Sequence, residues 1–365
     1  MAKNMGLKRN AKMKKINILE TTLRDGSYAV NFSFTSADTS IICKELESAG
    51  FEYIEIGHGV GLNASRCGYG EAIQTDEEYM IAAESVLKKA KYGMFCIPGI
   101  ARLEDIDLAA RHKMGFLRVG TNATEVYMGE KFIKKAKDRG MFVSANFMKS
   151  YTLTPSEFAK KVKLSQGYGA DMVYIVDSAG GMFADNIRDY YTAIRDVSDI
   201  PVGFHGHDNL GLSISNSIES VKMGIEFIDS SLQGLGRSLG NASTEMLVLA
   251  LLKLGYDTGI EFLKALEIGQ KYIRPLITTK GKMPLDMIAG FADFHSSFMH
   301  HIQKYSAKYN IDPAILIIEM TKVDKTNVDE KKLDDIAKRI KVKKDVYLGK
   351  YDFTRYVGRE QDKRI

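Results

Sequence analysis

From Ile16 onward, short β-branched or aromatic runs alternate with amphipathic stretches of ten to fifteen residues, and the unit repeats eight times before Gly255. Two parallel strands cannot be joined by a tight turn, so a strand followed by a helix-length crossover specifies parallel βαβ units. Strands are predicted at Ile16–Thr21, Tyr53–Gly57, Gly93–Ile97, Phe116–Val119, Phe142–Phe147, Met172–Val176, Val202–His205 and Phe227–Ser230. Helices are predicted near Ser36–Ala49, Asp76–Lys89, Leu103–His112, Glu125–Arg139, Pro155–Tyr168, Asn186–Val197, Asn209–Met223 and Ser243–Leu254. Eight such units imply an α/β fold closed as a TIM (β/α)8 barrel rather than an open doubly wound sheet. Barrel chemistry sits where strands open into loops, so the last residues of each strand are the candidate site.

After Gly255 the alternation stops, and Leu263–Tyr272, Met287–Tyr309 and Pro313–Met320 each read as helix. Their apolar content exceeds a linker's needs, so this module is expected to cover the barrel mouth or form a subunit interface. The expected division is a basic tail at 1–15, the catalytic barrel at 16–257, a helical module at 258–337 and a basic segment at 338–365. The net charge of +5 hides this layout: each basic end carries about +6 and the body between them about −7. Basic ends on an acidic body, without interleaved aromatic and basic residues, argue against a nucleic-acid groove. No apolar run approaches the roughly eighteen residues of a spanning helix, and no signal peptide opens the chain, so a cytoplasmic protein without membrane contact is expected. Cys43, Cys67 and Cys96 are odd in number and lack CxxC spacing, which indicates neither a disulfide framework nor a thiolate zinc site.

The stretch Pro201-Val-Gly-Phe-His-Gly-His-Asp-Asn209 places two imidazoles two residues apart at a strand end, pointing to one side at metal-ligand spacing. The first strand runs into Glu20-Thr-Thr-Leu-Arg-Asp-Gly-Ser27, which sets Arg24 beside Asp25 at the same edge. In a closed barrel only the eighth strand separates the first from the seventh, so Asp25, His205 and His207 can converge on one ion. One oxygen and two imidazoles with open positions suit a divalent metal, Mn²⁺ first, with Co²⁺, Fe²⁺, Zn²⁺ or Mg²⁺ as alternatives. A 2-oxo acid can chelate such an ion, which polarises the ketone while Arg24 neutralises the charge of an adjacent enolate. Carbon–carbon bond making or breaking follows from that chemistry. The glycine-rich turn Gly234 to Glu245 suits either phosphate binding at a helix N-terminus or tight barrel closure. Within it, Asn241 can add a ligand, a substrate hydrogen bond or a helix cap. His112, His300 and His301 lie in helical stretches and are expected to be packed or solvated.

With TTLRDGS, IEIGHGVGL, VDSAGGM, HGHDNLGLSISNSI and DSSLQGLG in this order, the chain resembles the metal-dependent 4-hydroxy-2-oxovalerate aldolases from about Ile16 to Tyr309. That group lies in the superfamily of 3-hydroxy-3-methylglutaryl-CoA lyase and isopropylmalate synthase. Its most specific marks here are His58-Gly-Val-Gly-Leu62, Gly68-Tyr-Gly70 and Ser296-Ser-Phe298. The resemblance implies Asp25, His205 and His207 as metal ligands, Arg24 as enolate stabiliser and Ser178 near the bound 2-oxo acid; His58 and Asn241 are further candidates for the substrate site, beside Arg24 and Ser178. It further implies an aldol reaction between pyruvate enolate and an aldehyde, or its reverse, in a homo-oligomer that could be partnered by an acylating aldehyde dehydrogenase.

Two departures stand out. The aldolases carry a histidine, thought to move the proton of the 4-hydroxyl, where this chain has Tyr28, and a tyrosine where it has His295. Phenol and imidazole differ by more than about three units in unperturbed pKa, so His295 is expected to take the acid–base role, with Tyr28 as the other catalytic candidate. The exchange also reshapes the aldehyde pocket toward a longer or hydroxylated acceptor. An acyl-CoA condensing enzyme of the isopropylmalate or homocitrate synthase type is the runner-up, on Gly240-Asn-Ala-Ser-Thr-Glu245. A hydroxymethylglutaryl-CoA lyase would need a cysteine within Gly234 to Asn241, where there is none. A biotin-dependent carboxyltransferase would need a carboxylated lysine and a KDMAG-like strand, whereas Val176-Asp-Ser-Ala-Gly180 stands here. A non-enzymatic metal-binding barrel, with Tyr28 marking lost catalysis, is opposed by the intact Arg24, Asp25, His205 and His207.

Overall fold

The computed structural model describes residues 13–278, 283–341, 351 and 353. Most of the two basic terminal segments, 1–15 and 338–365, therefore lies outside the described residues. Eight parallel strands, β1 (Asn17–Glu20), β2 (Tyr53–Glu55), β3 (Lys91–Cys96), β4 (Phe116–Asn122), β5 (Phe142–Met148), β6 (Met172–Asp177), β7 (Val202–Gly206) and β8 (Phe227–Ser230), pair in chain order. The ring closes as β8 pairs with β1, Asp229 beside Leu19. The expected barrel is what the chain forms.

Alternate residues of single strands feed different cores, as the two-residue period of a strand requires. Val173 and Ile175 of β6 and Ile228 of β8 join the large cluster shared with the surrounding helices. Met172, Tyr174 and Val176, with Phe142 and Phe227, form a separate cluster. Gly203 is what lets that second cluster close, since a Cβ there would stand 2.4 Å from the Tyr174 ring.

The outer ring is α1 (Ser36–Ala49), α2 (Asp76–Val86), α3 (Leu103–Arg111), α4 (Glu130–Asp138), α5 (Pro155–Tyr168), α6 (Ala184–Arg195), α7 (Ser213–Met223) and α8 (Thr244–Lys253). Thr35, Thr75 and Thr154 start α1, α2 and α5 with reciprocal capping boxes to Asp38, Glu78 and Glu157. Two starts fall later than the pattern suggests. Helix α7 begins at Ser213 rather than Asn209, because Asp208 accepts from the Ser213 amide and hydroxyl. A tight 3-10 segment, Ala123–Gly129, precedes α4.

Beyond the ring come α9 (Phe262–Ile268), α10 (Pro284–Ala292), α11 (Met299–Tyr309), α12 (Pro313–Thr321) and α13 (Glu330–Arg339), the last not anticipated from sequence. Ala265, Ile268 and Ile273 pack into the barrel's main cluster, whereas residues from Leu285 to Ala337 build a second one. The continuous helix expected over Met287–Tyr309 is broken. Asp293 takes a left-handed conformation (φ 53°) and pairs with Lys325 at 2.7 Å, ending α10 six residues before α11 begins. None of the described helices is long and apolar enough to cross a membrane.

The helical module lies against the C-terminal ends of the strands. Lys149, just past β5 and buried, donates through Nζ to the Thr326 carbonyl at 2.8 Å and sits 4.3 Å from the Phe298 ring centroid. Between β6 and α6, Gly181 abuts α10 so closely that a Cβ would meet the Gly290 carbonyl oxygen at 2.2 Å. Backbone cannot retreat as a side chain can, so Gly181→Ala should cost about 1–3 kcal/mol by overpacking. Urea unfolding of the variant at unchanged pH measures this; a midpoint equal to that of the parent chain would disprove the close docking.

Candidate active site

Asp25 follows β1, His205 lies on β7 and His207 just beyond it, and their ligating atoms all fall within 4.8 Å of one another. All three are buried. The His205 Nδ1–H donates to Asp229 at 2.9 Å, and the His207 Nδ1–H lies 3.3 Å from the Gly240 carbonyl. Each contact fixes a tautomer that leaves Nε2 with its lone pair for an ion, the usual outer support of a metal-binding histidine. Burial pushes the His207 ring down to about 4, so it is neutral at working pH. Burial alone would raise the Asp25 carboxyl, but Arg24, His207 and His205 hold it well below the usual carboxylate range. An anionic oxygen on Asp25 and a neutral ring on His207 are the protonation states a divalent cation requires of those two ligands.

Asn241, brought beside His207 by an isolated antiparallel bridge, donates through Nδ2 to Asp25 at 2.7 Å. Its Oδ1 is buried and, among the described residues, has no hydrogen-bond partner. A buried amide oxygen without a donor is costly, and a cation held by the neighbouring triad would satisfy it. The donor set thus fits a divalent ion.

Behind the triad runs a buried line of alternating charge. Arg24 contacts Asp25 at 2.6 Å and Glu55 at 2.7 Å; Arg118 reaches the same Glu55 oxygen at 2.7 Å and Asp229 at 2.5 Å. Through Asp229 the line ends at His205. Above it opens a small cavity, partly open to solvent, whose lining includes Arg24, Asp25, Tyr28, Ser178, His205, His207, Arg237 and His295. The break between α10 and α11 carries His295 into this cavity. Its Nδ1 accepts from the Ser297 amide at 3.2 Å and lies 2.7 Å from the Ser297 hydroxyl, which leaves the neutral ring's proton on Nε2.

Residues 15–271 match the HMGL-like family model. The chain is 37% identical to the 4-hydroxy-2-oxovalerate aldolase of Carboxydothermus hydrogenoformans over 89% of this chain and 97% of that protein. It is 36% identical to the Moorella thermoacetica protein of the same name, over 91% and 98%. The chain belongs to the HMGL-like family. Solved structures agree on the fold: a hydroxymethylglutaryl-CoA lyase from Brucella melitensis superposes with a TM-score of 0.64 at 19% identity, covering 72% of this chain and 99% of that one. The carboxyl transferase domain of Rhizobium etli pyruvate carboxylase reaches 0.73 at 15% identity, over 90% and 60%.

In this HMGL-like chain the structure brings Arg24, Tyr28, Ser178, His205, His207, His295 and Asp25 to one cavity, with Asn241 touching Asp25. His58 is not among the lining residues. Its Nδ1 accepts from the Val60 amide, its Nε2–H donates to the Gly70 carbonyl, both at 3.1 Å, and its ring stacks on Phe32 at 3.8 Å. Both nitrogens are used inside the fold, which corrects the expectation that His58 touches substrate. The expectation that the His295 pKa lies near working pH is corrected as well. Burial, followed by the positive charges of Arg237 and Lys149, holds that ring well below the usual imidazole value. Nor is the glycine-rich turn an anion cradle: Glu245 fills the start of α8, accepting from the Gln233 amide and side chain.

Sequence reasoning missed Glu55, Arg118, Asp229 and Arg237. For the first three a signal existed: each is a charge directly after an apolar residue in a strand, and alternation then points it to the opposite side, into the barrel. Replacing Asp229 with Asn removes the carboxylate behind His205 and should weaken divalent-ion affinity by about 10- to 100-fold. Titration calorimetry with Mn²⁺ reads this directly, and unaltered affinity would refute the supporting role. For His58, burial lowers the ring from 6.5 to about 4. The unfolded chain therefore binds this proton at higher pH than the folded one. Its contribution to stability is complete above about pH 6.5 and drains as pH falls toward 4, by about 3 kcal/mol. Unfolding free energies of the parent and His58→Gln chains across that interval should converge on acidification; parallel curves would show that the ring is not held neutral.

Proposed function

We propose that this protein is a divalent-metal-dependent aldolase, a carbon–carbon lyase that makes or cleaves a 4-hydroxy-2-oxo acid with pyruvate as the 2-oxo acid partner. The observation that carries the reading is the convergence of Asp25, His205 and His207 beside Arg24 in one cavity. It is supported by 37% identity, over most of both chains, to a 4-hydroxy-2-oxovalerate aldolase. We place Mn²⁺ first among the ions. Bound by Asp25, His205 and His207, with Asn241 Oδ1 as a further donor, a divalent ion supplies Lewis-acid polarisation of a ketone oxygen.

The protein's own groups do the rest. Arg24, locked by Glu55 and Asp25, presents fixed positive charge where the enolate oxygen develops, so no reorganisation is needed during reaction. Ser178 accepts from the Lys149 amide at 2.9 Å, which leaves its O–H to donate to the pyruvate carboxylate. His295 offers its Nε2–H to the 4-oxygen, and the Tyr28 hydroxyl exchanges the proton there. In cleavage the 4-hydroxyl proton leaves, the bond between C3 and C4 breaks, and C3 of the resulting enolate is protonated to give pyruvate.

Incubating the Mn²⁺-loaded protein with a panel of 4-hydroxy-2-oxo acids should release pyruvate, detected by lactate dehydrogenase. Asp25→Asn should abolish the release, and no pyruvate from any member of the panel would overturn the reading. His295→Ala should lower cleavage by about 10²-fold or more while pyruvate still exchanges its methyl protons with deuterated water. Because His295 is held neutral, the kcat/KM profile of the parent chain should lack a limb near pH 6.5 that this substitution removes. Finding such a limb would restore a titrating imidazole.

A further inference from the structure

The cavity is assembled from two parts of the chain. Arg24, Asp25, Ser178, His205 and His207 stand on the barrel, whereas His295 comes from the turn between α10 and α11. Lys149 spans the two. Its amide serves the barrel side, donating to Ser178 at 2.9 Å, while its Nζ donates at 2.8 Å to the Thr326 carbonyl in the loop between α12 and α13. Beside Thr326, Lys325 pairs with Asp293 at 2.7 Å, and the Lys149 ammonium itself lies 4.3 Å from the Phe298 ring centroid. Asp293 and Phe298 flank His295 in sequence, so the turn that carries this ring is held from both sides.

Lys149 combines two unfavourable features. It is fully buried, and its backbone is left-handed at φ 56°. A buried ammonium must be desolvated, and a side chain other than glycine is strained in that region, so both persist only where the surroundings over-determine them. The Lys325–Asp293 arm is part-exposed and weakened by solvent, which leaves the buried arm as the firmer one. Lys149 is not among the residues that line the cavity, so it acts through the turn rather than on substrate.

We propose that Lys149 is a positioning residue for aldol cleavage: its ammonium, held by the Thr326 carbonyl and the Phe298 face, sets the His295 ring against the 4-oxygen. This rests on the aldolase reading above and adds a division of labour to it. The barrel's own groups enolise pyruvate, and Lys149 brings the helical module's donor to the bond that breaks.

The test uses the Mn²⁺-loaded full chain and two readings of each preparation. One is pyruvate release from the 4-hydroxy-2-oxo acid that the parent chain cleaves fastest, 4-hydroxy-2-oxovalerate included in the panel; the other is metal-dependent deuterium exchange into pyruvate alone. Lys149→Met should lower the kcat of cleavage at least about tenfold while exchange stays within about twofold. In a His295→Ala background the same substitution should cost less than about twofold, because the ring it positions is gone. Equal losses in both readings would mark a merely structural role and overturn the proposal, as would undiminished cleavage or an undiminished effect without His295. If the Met variant does not fold, Lys149→Gln takes its place under the same criteria. Cleavage insensitive to these substitutions sinks only the positioning role, whereas a parent chain that releases no pyruvate from any member of the panel sinks the aldolase reading and this inference with it.

Discussion

One buried line of charges, Asp25, Arg24, Glu55, Arg118, Asp229 and His205, sets the geometry on which the rest of the site depends. Glu55 and Arg118 have almost no exposed surface. Removing one member of such a line strands its partner in a low-dielectric interior, at about 3–5 kcal/mol, so the members hold or fail together. Nor is the line saturated: Glu55 Oε1 lacks a hydrogen-bond partner among the described residues. An apolar interior of the same volume would cost less. What the charges add is position, because Asp25 and His205 stand at opposite ends of the line and neither can turn without breaking it.

Much of this was legible from residue order. Eight alternating units name the barrel, and barrel closure brings the first strand's loop within reach of the seventh, so His205, His207 and Asp25 could be joined before any coordinates. Arg118 and Asp229 could not be joined that way. They stand 111 residues apart, on strands that are not neighbours, and meet because both point inward at the same depth. A charge within an apolar strand gives the inward direction but not the partner. His58 misled for the opposite reason. A histidine in a specific motif looks like a functional group, yet its two ring nitrogens close the loop from Val60 to Gly70 and nothing remains for a substrate.

His295 shows how local backbone geometry decides a chemical role that residue type leaves open. The apolar pattern of 287–309 suits one helix, with neither proline nor glycine between 291 and 309 to end it. The end comes instead from Asp293, which turns left-handed and meets Lys325 on the loop before α13. His295 then caps the next turn through its own ring, with Nδ1 receiving the Ser297 amide. That bond has a chemical price, since the nitrogen that receives a backbone N–H has no lone pair left for a substrate proton. Burial and the cations Arg237 and Lys149 oppose a second proton on the ring. The imidazole therefore faces the cavity as a fixed, uncharged donor, suited to steadying a developing alkoxide rather than to taking a proton. With His295 so committed, the proposed reaction assigns proton exchange at the 4-oxygen to the Tyr28 hydroxyl, whose ring Arg237 covers. On that proposal the apparent exchange of tyrosine and histidine between two positions exchanges location more than labour, since one phenol and one imidazole still line the same cavity.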